Sequence, residues 1–162
     1  MRVVKTVRTR SREETAALGR ALGSLLGPGD LVVLNGDLGA GKTLFAGGVG
    51  RGLGVGGPLP SPTFVLIREY RTGRVPLYHM DADRLDEADL AELGCEEYFY
   101  GDGVTLIEWG ERVASLLPAE RLEVRFLPVP GREEERLVEI TARGGRYRGL
   151  VGEWLEVAGF GD

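Results

Sequence analysis

Two hydrophobic periods alternate along the chain. Ala17, Leu18, Ala21, Leu22, Leu25 and Leu26 recur with helical spacing, which predicts an amphipathic helix. Just upstream, Ser11-Arg12-Glu13-Glu14 fits a capping box, with Ser11 as N-cap and Glu14 at the third helical position. Gly27-Pro28-Gly29-Asp30 ends that helix. Leu31-Val32-Val33-Leu34 and Val104–Ile107 are short apolar runs, the pattern of parallel strands covered on both faces. Val3–Val7, Thr63–Tyr70, Arg74–Met80, Arg121–Leu127 and Arg136–Thr141 read as further strands, the second and third joined by a turn at Arg71-Thr72-Gly73-Arg74. Helices are predicted from Lys42 to Leu53, over Asp86–Leu93, over Glu111–Leu117 before Pro118, and over Tyr147–Val157, where Leu150, Val151, Trp154 and Leu155 share a side. Gly54–Pro62 is a glycine- and proline-rich loop. Short buried strands mixed with helices predict a three-layer α/β fold with a mainly parallel sheet.

Composition narrows this picture without redrawing it. The 162 residues, 43% apolar and 28% charged, predict one globular domain over the whole chain. No apolar run approaches the roughly 20 residues that cross a bilayer, and Met1-Arg2-Val3-Val4-Lys5 is no secretory signal. We expect no membrane association and a cytoplasmic protein. The lone Cys95 admits no intrachain disulfide and reads as a small buried apolar side chain. A net charge of −5 without a basic block argues against the chain being the main nucleic-acid-binding surface, and no DNA partner is expected. The 26 glycines read as turns and loops.

Chemistry enters at Gly36-Asp37-Leu38-Gly39-Ala40-Gly41-Lys42-Thr43. The spacing is that of a phosphate-binding P-loop, and it lies between a buried strand and a helix as that motif requires. Glycines allow a run of main-chain N–H groups to point into one concavity, and the following helix adds its positive end. Lys42 is positioned to reach the β- and γ-phosphates, and the Thr43 hydroxyl to bind Mg²⁺. With Leu44, these nine residues form the expected ATP-binding segment.

Phosphoryl transfer also needs carboxylates near the metal and the attacking oxygen. Asp81 follows the strand ending at Met80, and Glu108 follows the strand ending at Ile107. In an open α/β sheet, ligands gather at the carboxyl ends of strands, so both acids are expected beside the P-loop. Either could bind Mg²⁺ while the other polarises water. His79, the only histidine, reads as packing sooner than catalysis, and Trp109 as core sooner than a residue stacked on or near the nucleotide. Ser61-Pro62-Thr63 is a candidate switch that senses the γ-phosphate.

Taken together, the P-loop, Ser61-Pro62-Thr63-Phe64, Tyr78-His79-Met80-Asp81 with Arg84-Leu85, and Glu108-Trp109 resemble the TsaE (YjeE) family. The likeness spans about residues 9 to 142. It implies a small bacterial ATPase needed for threonylcarbamoyladenosine in tRNA, working with TsaD, which transfers the group, and with TsaB. It also implies that Lys42 and Thr43 bind phosphate and Mg²⁺, that Asp81 and Glu108 serve the metal or hydrolysis, that Arg12 to Thr15 lie near the base, and that Arg132 closes over the nucleotide. Asp83 departs from the tyrosine frequent at that position.

Two rivals share the scaffold. A small-metabolite kinase would need an arginine-rich lid, for which only Arg68–Arg74 offers candidates. A guanine-nucleotide switch would need Asn-Lys-x-Asp, which the sequence lacks.

Overall fold

A computed structural model describes residues 2–36, 41–56, 67–82, 87–92 and 94–160. The chain runs β1 (Arg2–Thr9), α1 (Arg12–Gly23), β2 (Leu31–Asn35), α2 (Lys42–Gly52), β3 (Ile67–Tyr70), β4 (Leu77–Asp81), α3 (Glu87–Glu92), α4 (Cys95–Phe99) and β5 (Val104–Glu108). A 3-10 helix (Gly110–Leu116), β6 (Arg121–Val129), β7 (Arg132–Arg143) and α5 (Gly145–Ala158) follow. The strands form one sheet in the order β1-β7-β6-β2-β5-β4-β3. Its four middle strands, β6, β2, β5 and β4, are parallel, while β7, β1 and β3 add antiparallel at the sides.

The apolar runs explain the centre. Every residue of β2, β4 and β5 is buried. Val32 and Leu34 face a core built with Leu18 and Leu22 of α1, Phe45 and Val49 of α2, and Trp154 of α5. Leu31 and Val33 face the opposite core with Cys95, Phe99 and Val113, so helices lie on both sides of the sheet, as expected. Cys95 is buried there, and burial raises its thiol pKa, the apolar role read from the sequence.

Several boundaries move. β1 and β7 outrun their predicted spans at positions that are mostly polar, Arg2, Arg8 and Thr9 in one and Arg132 to Glu135 in the other, which carry little hydrophobic signal, and β6 runs on through Pro128 and Val129. The strand predicted from Arg74 begins only at Leu77, just after Pro76, which has no N–H to give to a ladder. The predicted helix over Glu111–Leu117 is a 3-10 helix, and α4 was not foreseen. At α1, Ser11 Oγ accepts from Glu14 N–H at 3.1 Å, but Glu14 reaches back to Arg10 N–H rather than to that of Ser11.

The reading of the glycines as turns and loops also needs correction. Gly19 and Gly23 of α1 and Gly48 and Gly52 of α2 form a helix crossing in which a Cβ on any of them would overlap the facing backbone. A helical glycine costs about 1 kcal/mol relative to alanine; here it permits a close approach that seats α2, and with it the end of the P-loop, firmly on α1. Among the described residues, no helix is long and apolar enough to cross a membrane.

Candidate functional site

The described part of the P-loop is its two ends. Asn35 closes β2 and Gly36 turns away from it at φ +138°. Gly41, at φ +111°, leads into α2 as its N-cap, a backbone conformation open chiefly to glycine. No side chain caps that helix end, so its first N–H groups remain for a ligand. Asp37, Leu38, Gly39 and Ala40 lie outside the described residues, as do Thr63 with Ser61, Pro62 and Phe64, and also Asp83, Arg84 and Leu85.

Lys42 opens α2 and is only 6% exposed. Its Nζ lies 3.7 Å from the centre of the Trp109 ring, a cation–π contact that steadies a desolvated ammonium. Trp109 is thus more than the core residue expected. It is half-buried and holds φ +62°, ψ +31°, a left-handed conformation costing a bulky residue about 1–2 kcal/mol. Its N–H donates to Leu34 O at 2.8 Å, tying the strained residue to the strand that feeds the P-loop. Thr43 and Leu44 follow in the first turn of α2, Thr43 exposed to solvent.

Both predicted acids reach this end of the sheet, as the last residues of their strands rather than just beyond them. Asp81 stands opposite Glu108 in the β4–β5 ladder, and Glu108 opposite Leu34 in the β2–β5 ladder. Leu77 and Leu106 belong to the core under α1 and α2. Strand alternation therefore puts His79, Asp81 and Glu108 on that same face, beneath the helix that begins with Lys42. Asp81 is 9% exposed and Glu108 6%.

Sequence reasoning missed the partner of Glu108. His79, 1% exposed, places Nε2 2.7 Å from Glu108 Oε2, while its Nδ1 is buried without a hydrogen bond. The signal was present, because the single histidine lies two residues before Asp81 on a strand adjacent to that of Glu108. The ladder offset that joins them was not legible.

The remaining candidates border the same edge. Thr15 is buried, its hydroxyl 2.7 Å from that of Thr9, and a Cβ on Gly41 would sit 3.5 Å from its methyl. Arg12 is exposed at the start of α1. Arg132 opens β7 opposite Val129, where β6 has run four residues beyond Arg125, the partner of Asn35. The β6–β7 turn therefore extends past the P-loop end of β2.

Two arginines of the kinase alternative, Arg71 and Arg74, go elsewhere, whereas Arg68 stands opposite His79 in the β3–β4 ladder. The turn between β3 and β4 lies at the amino end of β4, opposite the P-loop edge. Arg71 meets Glu69 at 3.1 Å there, and Arg74 donates to Gly23 O and Leu26 O. Arg71 and Arg74 therefore lie away from the P-loop edge.

Known proteins are similar to this chain over most of its length. Residues 9–137 match the family model described as "Threonylcarbamoyl adenosine biosynthesis protein TsaE". A Bacillus subtilis protein named tRNA threonylcarbamoyladenosine biosynthesis protein TsaE is 44% identical over 90% of each chain. A Treponema pallidum protein of the same name is 50% identical over 68% of this chain and 82% of its own. The crystal structure of Bacillus subtilis YdiB superposes with a TM-score of 0.84 at 39% identity, covering 96% of this chain and 97% of that one. With the P-loop ends, both strand-end acids and Glu108-Trp109 all inside the matched region, the chain belongs to the TsaE family.

Proposed function

We propose that the protein binds and hydrolyses Mg·ATP and that this cycle serves the threonylcarbamoyladenosine modification of tRNA, by acting on a complex of TsaB and TsaD in the cytoplasm. The observation that carries the reading is the buried Lys42 ammonium at an uncapped helix start, on the same sheet edge and face as Asp81 and Glu108. A triphosphate is the ligand that uses all three, with the cation and main-chain amides for phosphate oxygens and the carboxylates for metal and water.

The donor set fits Mg²⁺. Thr43 offers a hydroxyl and Asp81 and Glu108 offer carboxylates, all hard oxygens. Among the described residues no three His, Cys, Asp or Glu side chains form a cage, which suits an ion held by one or two protein groups and by phosphate. When bound, the ion offsets phosphate charge. The remaining carboxylate orients the attacking water. Arg12, Thr15, Thr63 and Arg132 complete the proposed nucleotide contacts. The acidic balance of the chain fits a protein that meets tRNA only through its partners.

The test is ATP turnover by the purified protein, alone and titrated with TsaB and TsaD. Slow turnover alone, rising when both are added, is expected. A rate indifferent to the two proteins would overturn the partner assignment, and absence of ATP binding would overturn the whole reading.

A further inference from the structure

We propose that His79 is a positioning residue for hydrolysis. In this reading it donates from Nε2 to Glu108 Oε2, fixing the carboxylate plane so that Oε1 faces the attacking water. The inference rests on the ATPase reading above for the role of Glu108, but its central claim is about a hydrogen bond and can be tested without ATP.

The geometry assigns the tautomer. A carboxylate offers only lone pairs, so the 2.7 Å contact from Nε2 to Oε2 requires the hydrogen on Nε2. In the neutral ring, Nδ1 then keeps a lone pair, and that atom is buried with no partner. An imidazole retained only for packing would be poorly chosen here. It stands opposite Leu106 in the ladder, on the face shared with the apolar core of Leu77 and Leu106, where an unpaired acceptor costs stability that an aliphatic side chain would not. The ring is explained by what its other nitrogen does. Glu108 lies at a strand end, where the main chain fixes its Cα but not the rotation of its carboxylate. His79 sits on the neighbouring strand, held by ladder bonds on both sides, since it pairs with Leu106 of β5 and Arg68 of β3. A rigid donor thus orients a flexible acceptor, the relation by which outer residues tune ligating and catalytic carboxylates.

Because the chain has one histidine, its two ring nitrogens are resolved without assignment. In ¹⁵N-labelled full-length protein, long-range proton–nitrogen spectra should show the Nε2–H tautomer alone, and Glu108→Ala should abolish that preference. A ring carrying its hydrogen on Nδ1 and none on Nε2, or a mixed population of the two neutral tautomers unchanged by Glu108→Ala, would overturn the proposal whatever the protein does with ATP. Kinetics supply the second arm. His79→Leu should lower kcat about 10- to 100-fold while KM for ATP moves less than about threefold. His79→Gln, which carries an N–H near the place of Nε2, should recover most of that loss, and His79→Asn, too short to reach, should not. Adding His79→Leu to Glu108→Ala should cost nothing more, because the two act as one unit. Independent, multiplying losses would make His79 merely structural. If no variant affects turnover because the wild type has none, the ATPase reading fails and the spectra still decide the tautomer.

Discussion

Asp30, just before β2, and Asn35, its last residue, are five residues apart, equally buried and both polar, yet the two ends of the strand are finished in opposite ways. At the amino end, Asp30 is saturated. Its carboxylate accepts from Gly27 N–H at 2.7 Å and from Arg146 Nε and Nη2 at 3.1 and 2.7 Å. One residue on, Leu31 N–H donates to the Tyr147 hydroxyl at 2.8 Å, pinning α5 to the sheet. At the carboxyl end, Asn35 Oδ1 and His79 Nδ1 are buried without hydrogen bonds, Trp109 is held in a left-handed conformation, and Lys42 is sunk against its ring. Buried polar groups are normally satisfied, and local strain persists where surrounding structure enforces it. One end of the strand secures the fold, while the other keeps unmet valences where a ligand would be received. Substitutions at the two ends should therefore separate binding and turnover from stability.

The largest effect is expected at Lys42. Lys42→Ala should weaken ATP binding about 1000-fold, equivalent to roughly 4 kcal/mol, measured by calorimetric titration. Glu108→Gln should follow, with kcat reduced about 100-fold and ATP affinity within about threefold of wild type. A Glu108→Gln protein that turns over normally would erase the functional half of the contrast.

Asp30→Ala should do the reverse. It leaves Arg146 and Gly27 N–H without their shared acceptor and should destabilise the fold by about 2–3 kcal/mol in urea unfolding. Turnover per folded molecule should not change. If Asp30→Ala instead impaired catalysis at full stability, the two ends would not be distinct in kind.

Much of the carboxyl end was legible in the sequence, because its signals are local. Gly36-x-x-x-x-Gly41-Lys42-Thr43 announces itself by spacing, and Asp81 and Glu108 by their place after apolar runs. What was not legible depends on juxtaposition. The His79–Glu108 bond needs the relative offset of β4 and β5, and the Lys42–Trp109 contact needs a left-handed residue that no propensity favours. The amino end left almost no trace. Asp30 read as part of a turn and Arg146 lay just outside a predicted helix, although their bond joins positions 116 residues apart. The glycines of the α1–α2 crossing misled for a related reason. A glycine that admits a neighbouring backbone looks, in one dimension, like one that admits a turn.

The smallest predicted effect probes the saturated end by pH. Burial pushes the Tyr147 phenol from 10.0 up to about 12, with the Leu31 N–H pulling the other way and Asp30 adding to the rise. The folded chain keeps this proton to higher pH than the unfolded chain does. Between about pH 10 and 12 the unfolded state therefore binds fewer protons, and stability falls as pH rises. The contribution is fully present below about pH 10 and amounts to about 3 kcal/mol at most. Tyr78 and Tyr98 are also raised, burial being the largest cause in each, so total stability in alkali does not isolate Tyr147. The difference between wild type and Tyr147→Phe does. At about pH 9 the variant should be less stable by roughly 1 kcal/mol through loss of the acceptor for Leu31 N–H. That gap should close, and then change sign, as the buried wild-type phenol is forced to ionise towards about pH 12. A gap that stays constant across the range would mean that Tyr147 is solvated in the folded state, and the amino end of β2 would then be less tightly closed than its hydrogen bonds imply.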